Sequence, residues 1–240
     1  GTELGRNRLI ALAAAIAAEQ APGSTIVTDS VTSDQLADFI EKKLGCRHHR
    51  FKRGYKNVIN EAIRLNEAGE TCLLAMETSG HGALKENYFL DDGAYLATKI
   101  VIRYAQLRRQ GRTLADLLEG MREPLEAQAL RFRLLPEDFK AAGAAVRAAP
   151  ERYGASQPGW VPAPHNYGGL RYAVPAQKGW FLLRMSLHDP LMPLNIESDC
   201  PGGSNAILRE LTPFLTAQPA LVHKSHFPMR HAGTVHPGHM

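Results

Sequence analysis

Along the first 115 residues, apolar positions alternate between helical spacing and short unbroken runs, and polar or glycine-bearing segments mark each change. "RNRLIALAAAIAAEQ" predicts a core helix stopped by "APG", and "STIVTDS" predicts a short β-branched strand. Ser33 suits the N-cap of a helix over "DQLADFIEKKL", with Gly45 in position just past its end. "CRHHRF" reads as a strand, "GYK" as a loop, "NVINEAIRLNEAG" as an amphipathic helix closed by Gly69, and "TCLLAM" as a buried strand. "DDGAYLATKIVIRYAQLRRQG" adds a long helix whose acidic start and basic end match the helix dipole. This β-α-β-α-β series predicts a layered α/β domain with its binding groups in loops beyond the strand ends.

From about "RTLADLLEGMREPLE" the texture changes to short strands, Pro-rich connections and two helix patterns. "QALRFRL", "LRYAV", "GWFLLRMS" and "MPLNIES" read as strands, "EDFKAAGAAVRAA" and "SNAILRELTPFL" as helices, which is an α+β pattern. The expected organisation is an α/β domain over 1–115, a smaller α+β domain over 116–216, and a disordered tail over 217–240. That tail holds five of the ten histidines and no apolar period. Their irregular spacing argues for a floppy end over a metal site.

The overall composition adds little to this picture. At 240 residues, 44% hydrophobic and 22% charged, the chain reads as soluble and globular. No apolar run approaches the roughly 18 to 20 residues needed to cross a bilayer, so no membrane partner is expected. Three cysteines without metal-type spacing suit buried thiols in a reducing, intracellular compartment. The net charge of +4 hints modestly at an anionic partner, and seven Lys or Arg crowd into 41–56 against one Glu. That run reads equally as a solvated face or a phosphate-binding surface. No RNA-stacking motif or recognition helix accompanies it, so nucleic acid is not expected.

Candidate chemistry concentrates in "LLAMETSGHGALKEN", where Glu77, Ser79 and His81 follow an apolar run, with Gly80 and Gly82 around the histidine. A serine-hydrolase elbow would need glycines at 77 and 81, which hold Glu and His. An ionised Glu77 has about four lone-pair sites, suited to adjacent sugar hydroxyls. Ser79 both donates and accepts, the glycines would admit a ligand close to the backbone, and His81 can move a proton near neutral pH. Capping of the next turn explains Glu77 and Ser79 about as well. "KRGYKN" sets Lys52, Arg53 and Lys56 around Gly54 ahead of a helix, which suits a phosphate or a plain surface turn. "LLRMSLHDP" carries Arg184, Ser186 and His188 after an apolar strand, a second candidate phosphate site.

In this order, "TSDQLADFIEKKLG", "KRGYKNVINEA", "METSGHGALKENYFLDDGAYLATKI", "GGLRYAV" and "GWFLLRMSLHDP" resemble the third and fourth domains of the α-D-phosphohexomutases, over roughly residues 1 to 215. The superfamily's sugar loop, Gly-Glu-x-Ser-Gly-His, is matched from Met76 to His81 except for its leading glycine. The resemblance implies that Glu77, Ser79 and Gly80 contact the sugar and that His81 serves as a sugar contact or general acid/base. Lys56 matches the lysine of the family's Gly-aromatic-Lys loop in the active cleft. Arg184 and Ser186 match the start of the phosphate-binding loop, where Leu187 and His188 replace small and hydroxyl-bearing residues. "RMSLHDPLMPLNIES" looks most like a plant and algal branch, which suggests cytoplasm or plastid stroma.

The same resemblance implies a phosphoglucomutase or phosphomannomutase reaction that interconverts hexose 1-phosphate and hexose 6-phosphate. It works through a phosphoserine, Mg2+ and a hexose 1,6-bisphosphate. The Thr-Ala-Ser-His-Asn-Pro-like serine loop and the Asp-Gly-Asp-Gly-Asp-Arg-like metal loop are not in this sequence. The expectation is therefore the C-terminal half of a mutase, with no metal ligands of its own and the N-terminal mutase domains as partner.

Overall fold

The computed structural model describes residues 4–134, 154, 157–164, 166–186, 189–218 and 221–222. These form two compact units, Gly1–Pro124 with Pro164–Gly169, and Leu125–Ala163 with Leu170–Met240. The first extends past 115 because Leu118 and Met121 are buried in its core, with Leu114 and Leu117 packed alongside.

In the first unit α1 (Arg6–Ala18) precedes β1 (Thr25–Asp29), α2 (Asp34–Asp38), β2 (Arg47–Phe51), α3 (Tyr55–Glu67), β3 (Cys72–Met76), β4 (Gly82–Leu84) and α4 (Gly93–Arg109). The sheet order is β2-β1-β3-β4, with β1 parallel to both β2 and β3 and β4 antiparallel to β3. The chain leaves central β1 on one side and returns on the other, so β1 is the switch point of a doubly wound sheet. Its two faces meet different partners: Ile26, Leu74 and Met76 pack with α1 and α2, while Val27 and Ala75 pack with Val58, Ala62 and Leu65 of α3.

Helix α1 is buried along Ile10–Ala18, as expected of a core helix. Ser33 caps α2, its Oγ accepting the Leu36 N–H at 3.0 Å, but the helix widens into a π-turn over Phe39–Lys43 before Gly45 ends it. Helix α3 begins at Tyr55, so the residues expected in a loop form its first turn. Helix α4 turns two cations inward: Lys99 pairs with Glu86 at 2.8 Å and Arg103 with Glu19 at 2.6 Å. Its apolar Val101, Ile102 and Tyr104 face outward.

The second unit is a six-stranded antiparallel sheet ordered β10-β5-β9-β8-β7-β6. Its strands are β5 (Glu126–Leu134), β6 (Val161–Pro162), β7 (Leu170–Val174), β8 (Gly179–Leu183), β9 (Leu191–Ser198) and β10 (Leu221–Val222), with helix α5 (Gly203–Thr216) packed on one face. Strand β9 shows why: Met192, Leu194 and Ile196 are buried in alternation, the period of a sheet with one covered face. The mixed α/β architecture matches the expectation. Within the tail expected to be disordered, Leu221 and Val222 pair with Leu134 and Arg133. The helix expected over "EDFKAAGAAVRAA" and residues 223–240 lie outside the described residues.

Gly179 opens β8 where a Cβ would lie 2.3 Å from the Glu197 carbonyl oxygen. Gly179→Ala is expected to destabilise this unit by about 1–3 kcal/mol. Urea unfolding followed by tryptophan fluorescence measures this, since Trp160 and Trp180 both belong to this unit's sheet region. An unchanged midpoint would show that the strand yields at no cost.

Candidate functional site

Three parallel strands end at one edge of the first unit, and the segments leaving them carry most of the candidate residues. Asp29 closes β1, Lys52 and Arg53 follow β2, and Glu77 follows β3. This is the edge, at the switch point of the sheet, where ligands of doubly wound folds bind.

The turn after β3 is held by its own backbone, with Glu77 N–H donating to His81 O at 2.9 Å and Gly80 N–H to Glu77 O at 3.0 Å. Gly80 sits at φ +101°, where a side chain would be strained, and has open space around it. Gly82 serves a different purpose from the ligand approach expected of it. It is buried in β4, and a Cβ there would meet Leu96 and Met76 at 3.3 and 3.4 Å.

Glu77 is only 4% exposed, and both its carboxylate oxygens are occupied. Oε1 accepts the Gly54 N–H at 2.6 Å, and Oε2 accepts the Ser79 hydroxyl at 3.0 Å. A hydroxyl approaching Oε2 would have to displace or share the exposed Ser79 hydroxyl. Each oxygen keeps a second lone-pair site for the purpose. A simple cap does not account for Glu77, because besides the Ser79 hydroxyl it accepts a backbone N–H from a residue 23 positions away across the sheet edge.

His81 stacks on Tyr55 with ring centroids 4.9 Å apart, and its Nδ1 lies 2.7 Å from Asp91 Oδ2. The aspartate orients the ring and fixes the proton on Nδ1, so that Nε2 is the nitrogen able to exchange a proton with a ligand. Asp91 also accepts the Gly82 N–H at 3.2 Å. The sequence presents Asp91 and Asp92 together as the acidic start of a helix. Asp92 does cap α4, and the Tyr95 N–H it accepts holds its carboxyl below the usual range. Asp91 instead belongs to His81.

Lys56 lies in the first turn of α3, exposed, its Nζ 5.9 Å from the Tyr55 ring centroid and so beside the His81 stack. Five of the seven cations in the basic run are paired: Lys42 with Asp38, Lys43 with Glu119, Arg47 with Glu70, Arg50 with Asp34 and Arg53 with Asp29. Lys52 and Lys56 lie over the rings of Phe51 and Tyr55.

Arg184 and Ser186 follow β8 in the second unit. The Ser186 N–H donates to Leu191 O at 2.9 Å and its Oγ accepts the Asp189 N–H at 3.4 Å. His188 lies outside the described residues. Cys46 and Cys72 are buried as expected, while Cys200 is partly exposed. Burial pushes the Cys72 thiol up to about 12.

The Mg2+ implied by the resemblance does not fit the residues present. Among the described residues no three His, Cys, Asp or Glu are grouped to hold a metal ion. The carboxylates nearest the site are committed, Asp29 to Thr78 and Arg53, Asp91 to His81 and Gly82.

With this geometry in view, comparison with known proteins is decisive on one point. The profile described as "Phosphoglucomutase/phosphomannomutase, alpha/beta/alpha domain III" matches residues 5–124, half of the chain. The chain belongs to the phosphoglucomutase/phosphomannomutase family. Solved structures similar to it show the shared fold. A phosphoglucomutase/phosphomannomutase family protein from Burkholderia thailandensis is 23% identical over 92% of this chain, with a TM-score of 0.69. A phosphoglucomutase from Paramecium is 13% identical over 88%, with a TM-score of 0.59. An Aspergillus fumigatus N-acetylphosphoglucosamine mutase, solved with GlcNAc-6P and magnesium, is 12% identical over 87%, with a TM-score of 0.57. The chain spans 44%, 41% and 43% of these proteins respectively. No curated protein matches it by sequence. No described helix is long and apolar enough to cross a membrane.

Sequence reasoning within this mutase-family domain missed Asp29, Tyr55, Thr78 and Asp91, and read Gly54 only as the centre of a turn and not as a donor to Glu77. Asp29 is the most unusual: fully buried, with burial raising its carboxyl to about 6 against the opposing pull of Arg53 and the Thr78 hydroxyl. A raised folded-state pKa means that the folded chain binds the proton more tightly than the unfolded one. This contribution is fully present below the unfolded value near 3.8 and is lost as pH rises through about 6. Relative to Asp29→Asn, the wild-type chain is therefore expected to gain roughly 2 kcal/mol on going from pH 7.5 to pH 4. Paired urea titrations across that range measure the difference, and a gap that does not change with pH would refute it.

Proposed function

We propose that this chain supplies the sugar-recognition part of a phosphohexomutase, binding a hexose phosphate whose phosphate is transferred by groups outside this sequence. One observation carries the reading. Glu77 accepts hydrogen bonds from Gly54 and Ser79 beside an Asp91-oriented His81, in a chain of the family whose sugar loop the segment Glu77 to His81 resembles. A carboxylate and a hydroxyl aimed at adjacent hydroxyls near the middle of a sugar ring accept it in either of two opposite orientations. A mutase needs this, because it adds phosphate at one end and removes it from the other. Lys56, beside Tyr55 and His81, is positioned to meet the negative charge of a phosphate, and His81 Nε2 to take or give a proton at a sugar hydroxyl. Arg184 and Ser186, with His188, form the phosphate-holding loop of the smaller domain in this reading.

The second reading, a general anion-binding fragment, rests on the basic run at 41–56. Its weight falls because most of those cations are already ion-paired. Phosphoryl transfer depends on positioning and charge stabilisation, so the phosphoserine and Mg2+ of the family's reaction have to come from the N-terminal domains. Glucose and mannose present hydroxyls to the same loop, and the reading covers both.

Glucose 6-phosphate or mannose 6-phosphate is expected to bind the chain weakly by calorimetry or ligand-observed NMR. Glu77→Gln keeps an acceptor for Gly54 but removes the charge, and is expected to weaken binding about 10- to 100-fold. Binding unaffected by this change but falling steeply with salt would favour the anion reading instead. In a coupled assay the chain alone is expected to show no conversion of glucose 1-phosphate to glucose 6-phosphate. Turnover in preparations free of other mutases would overturn the division of labour proposed.

A further inference from the structure

Asp29 has no part in the reading above, yet it sits where that site is assembled. Its Oδ1 accepts the Thr78 N–H at 3.3 Å, its Oδ2 accepts the Thr78 hydroxyl at 2.9 Å, and Arg53 Nε stands 3.8 Å from Oδ2. Thr78 adjoins Glu77, Arg53 adjoins Gly54, and the Gly54 N–H donates to Glu77 at 2.6 Å. Asp29, Thr78, Glu77, Gly54 and Arg53 thus close a ring that ties the end of β1 to the segments after β2 and β3. A carboxylate sequestered from water opposes folding unless its partners compensate. Here every partner belongs to one of the two loops that carry candidate ligand-binding groups.

We propose that Asp29 is a positioning residue: by holding Thr78 through backbone and side chain, and Arg53 by charge, it locks Glu77 and the Gly54–Lys56 turn in the arrangement that receives a hexose. The functional consequence rests on the hexose-phosphate reading, whereas the coupling of the two loops stands independently of it. Without Asp29 the Thr78 N–H and hydroxyl, both in a buried residue, lose their acceptors. The turn must then move to find others, and Glu77 moves with it. An asparagine keeps a carbonyl for the N–H and offers its own N–H to the hydroxyl, so it conserves the hold on Thr78 while removing the charge that faces Arg53.

Hydrogen exchange by NMR on the full chain, together with glucose 6-phosphate titrations, tests this in Asp29→Ala and Asp29→Asn. Asp29→Ala is expected to lower protection of the Gly54 amide, whose acceptor is Glu77 and not Asp29, by about tenfold or more, and to weaken glucose 6-phosphate binding similarly. Asp29→Asn is expected to restore both to within about threefold. Wild-type protection of Gly54 in Asp29→Ala would overturn the proposal. So would equal losses in both variants spread evenly over the amides of β1 and β3, which mark a purely structural role. Should Asp29→Ala not fold, Thr78→Val, which removes only the hydroxyl donor, must still lower Gly54 protection, and no change there also overturns it. If Glu77→Gln weakens binding and folded Asp29→Ala does not, the positioning role falls while the hexose reading stands. If the wild-type chain binds no glucose 6-phosphate yet Gly54 protection still depends on Asp29, the hexose reading falls and the positioning role stands.

Discussion

Two carboxylates, Asp29 and Glu77, are buried at the ends of adjacent parallel strands, and the edge of the first unit is organised around keeping them there. Neither is solvated, so each needs donors from the protein. Thr78 supplies two to Asp29, while Gly54 and Ser79 supply one each to Glu77. Arg53 stands across from Asp29 and moderates the charge that the two carboxylates together place in a small volume. Satisfying both acids requires the turn after β3 and the turn before α3 to meet, which fixes the backbone of each. The rigidity comes from hydrogen-bond satisfaction, since the apolar packing of this unit lies on the two sheet faces and leaves the edge to polar groups.

The doubly wound topology makes such an edge available. Because β1 is central and the chain departs from it in opposite directions, the segments after β1, β2 and β3 emerge side by side without a helix crossing between them. The packing beneath is a scaffold of ordinary kind: an alanine-rich helix small enough to lie close on one face, an amphipathic α3 on the other. Above it, His81 is held from two sides, by the Tyr55 ring and by Asp91, so a flexible-looking glycine turn carries an imidazole of defined direction.

Much of the fold was legible in the chain itself. Period and punctuation located the described α-helices and seven of the ten described strands, because amphipathic spacing, caps and glycine stops are local signals. Misreadings have equally local causes. Tyr55 and Lys56 were assigned to a loop because Gly54 precedes them, yet the helix begins directly after the glycine. Strand β4 escaped notice because three residues beside a glycine turn carry no period. For the candidate site, Glu77, Ser79, Gly80, His81 and Lys56 stood out by residue type and motif, whereas Gly82 turned out to serve packing.

The sequence by itself determined the alternation of elements, the family to which the domain belongs and the short motif that bears its chemistry. These depend on residues within a few positions of one another, where spacing translates directly into a shared face or a shared turn. Only the tertiary structure decided what holds that motif in place. Asp29 lies 49 residues from Thr78 and Gly54 lies 23 from Glu77, while Asp91 is carried back to His81 only after β4 has formed. Isolated, each of these is an unremarkable polar residue at a strand end or helix start. The parallel sheet brings their strand ends together, and burial then makes the pairing of every donor and acceptor obligatory.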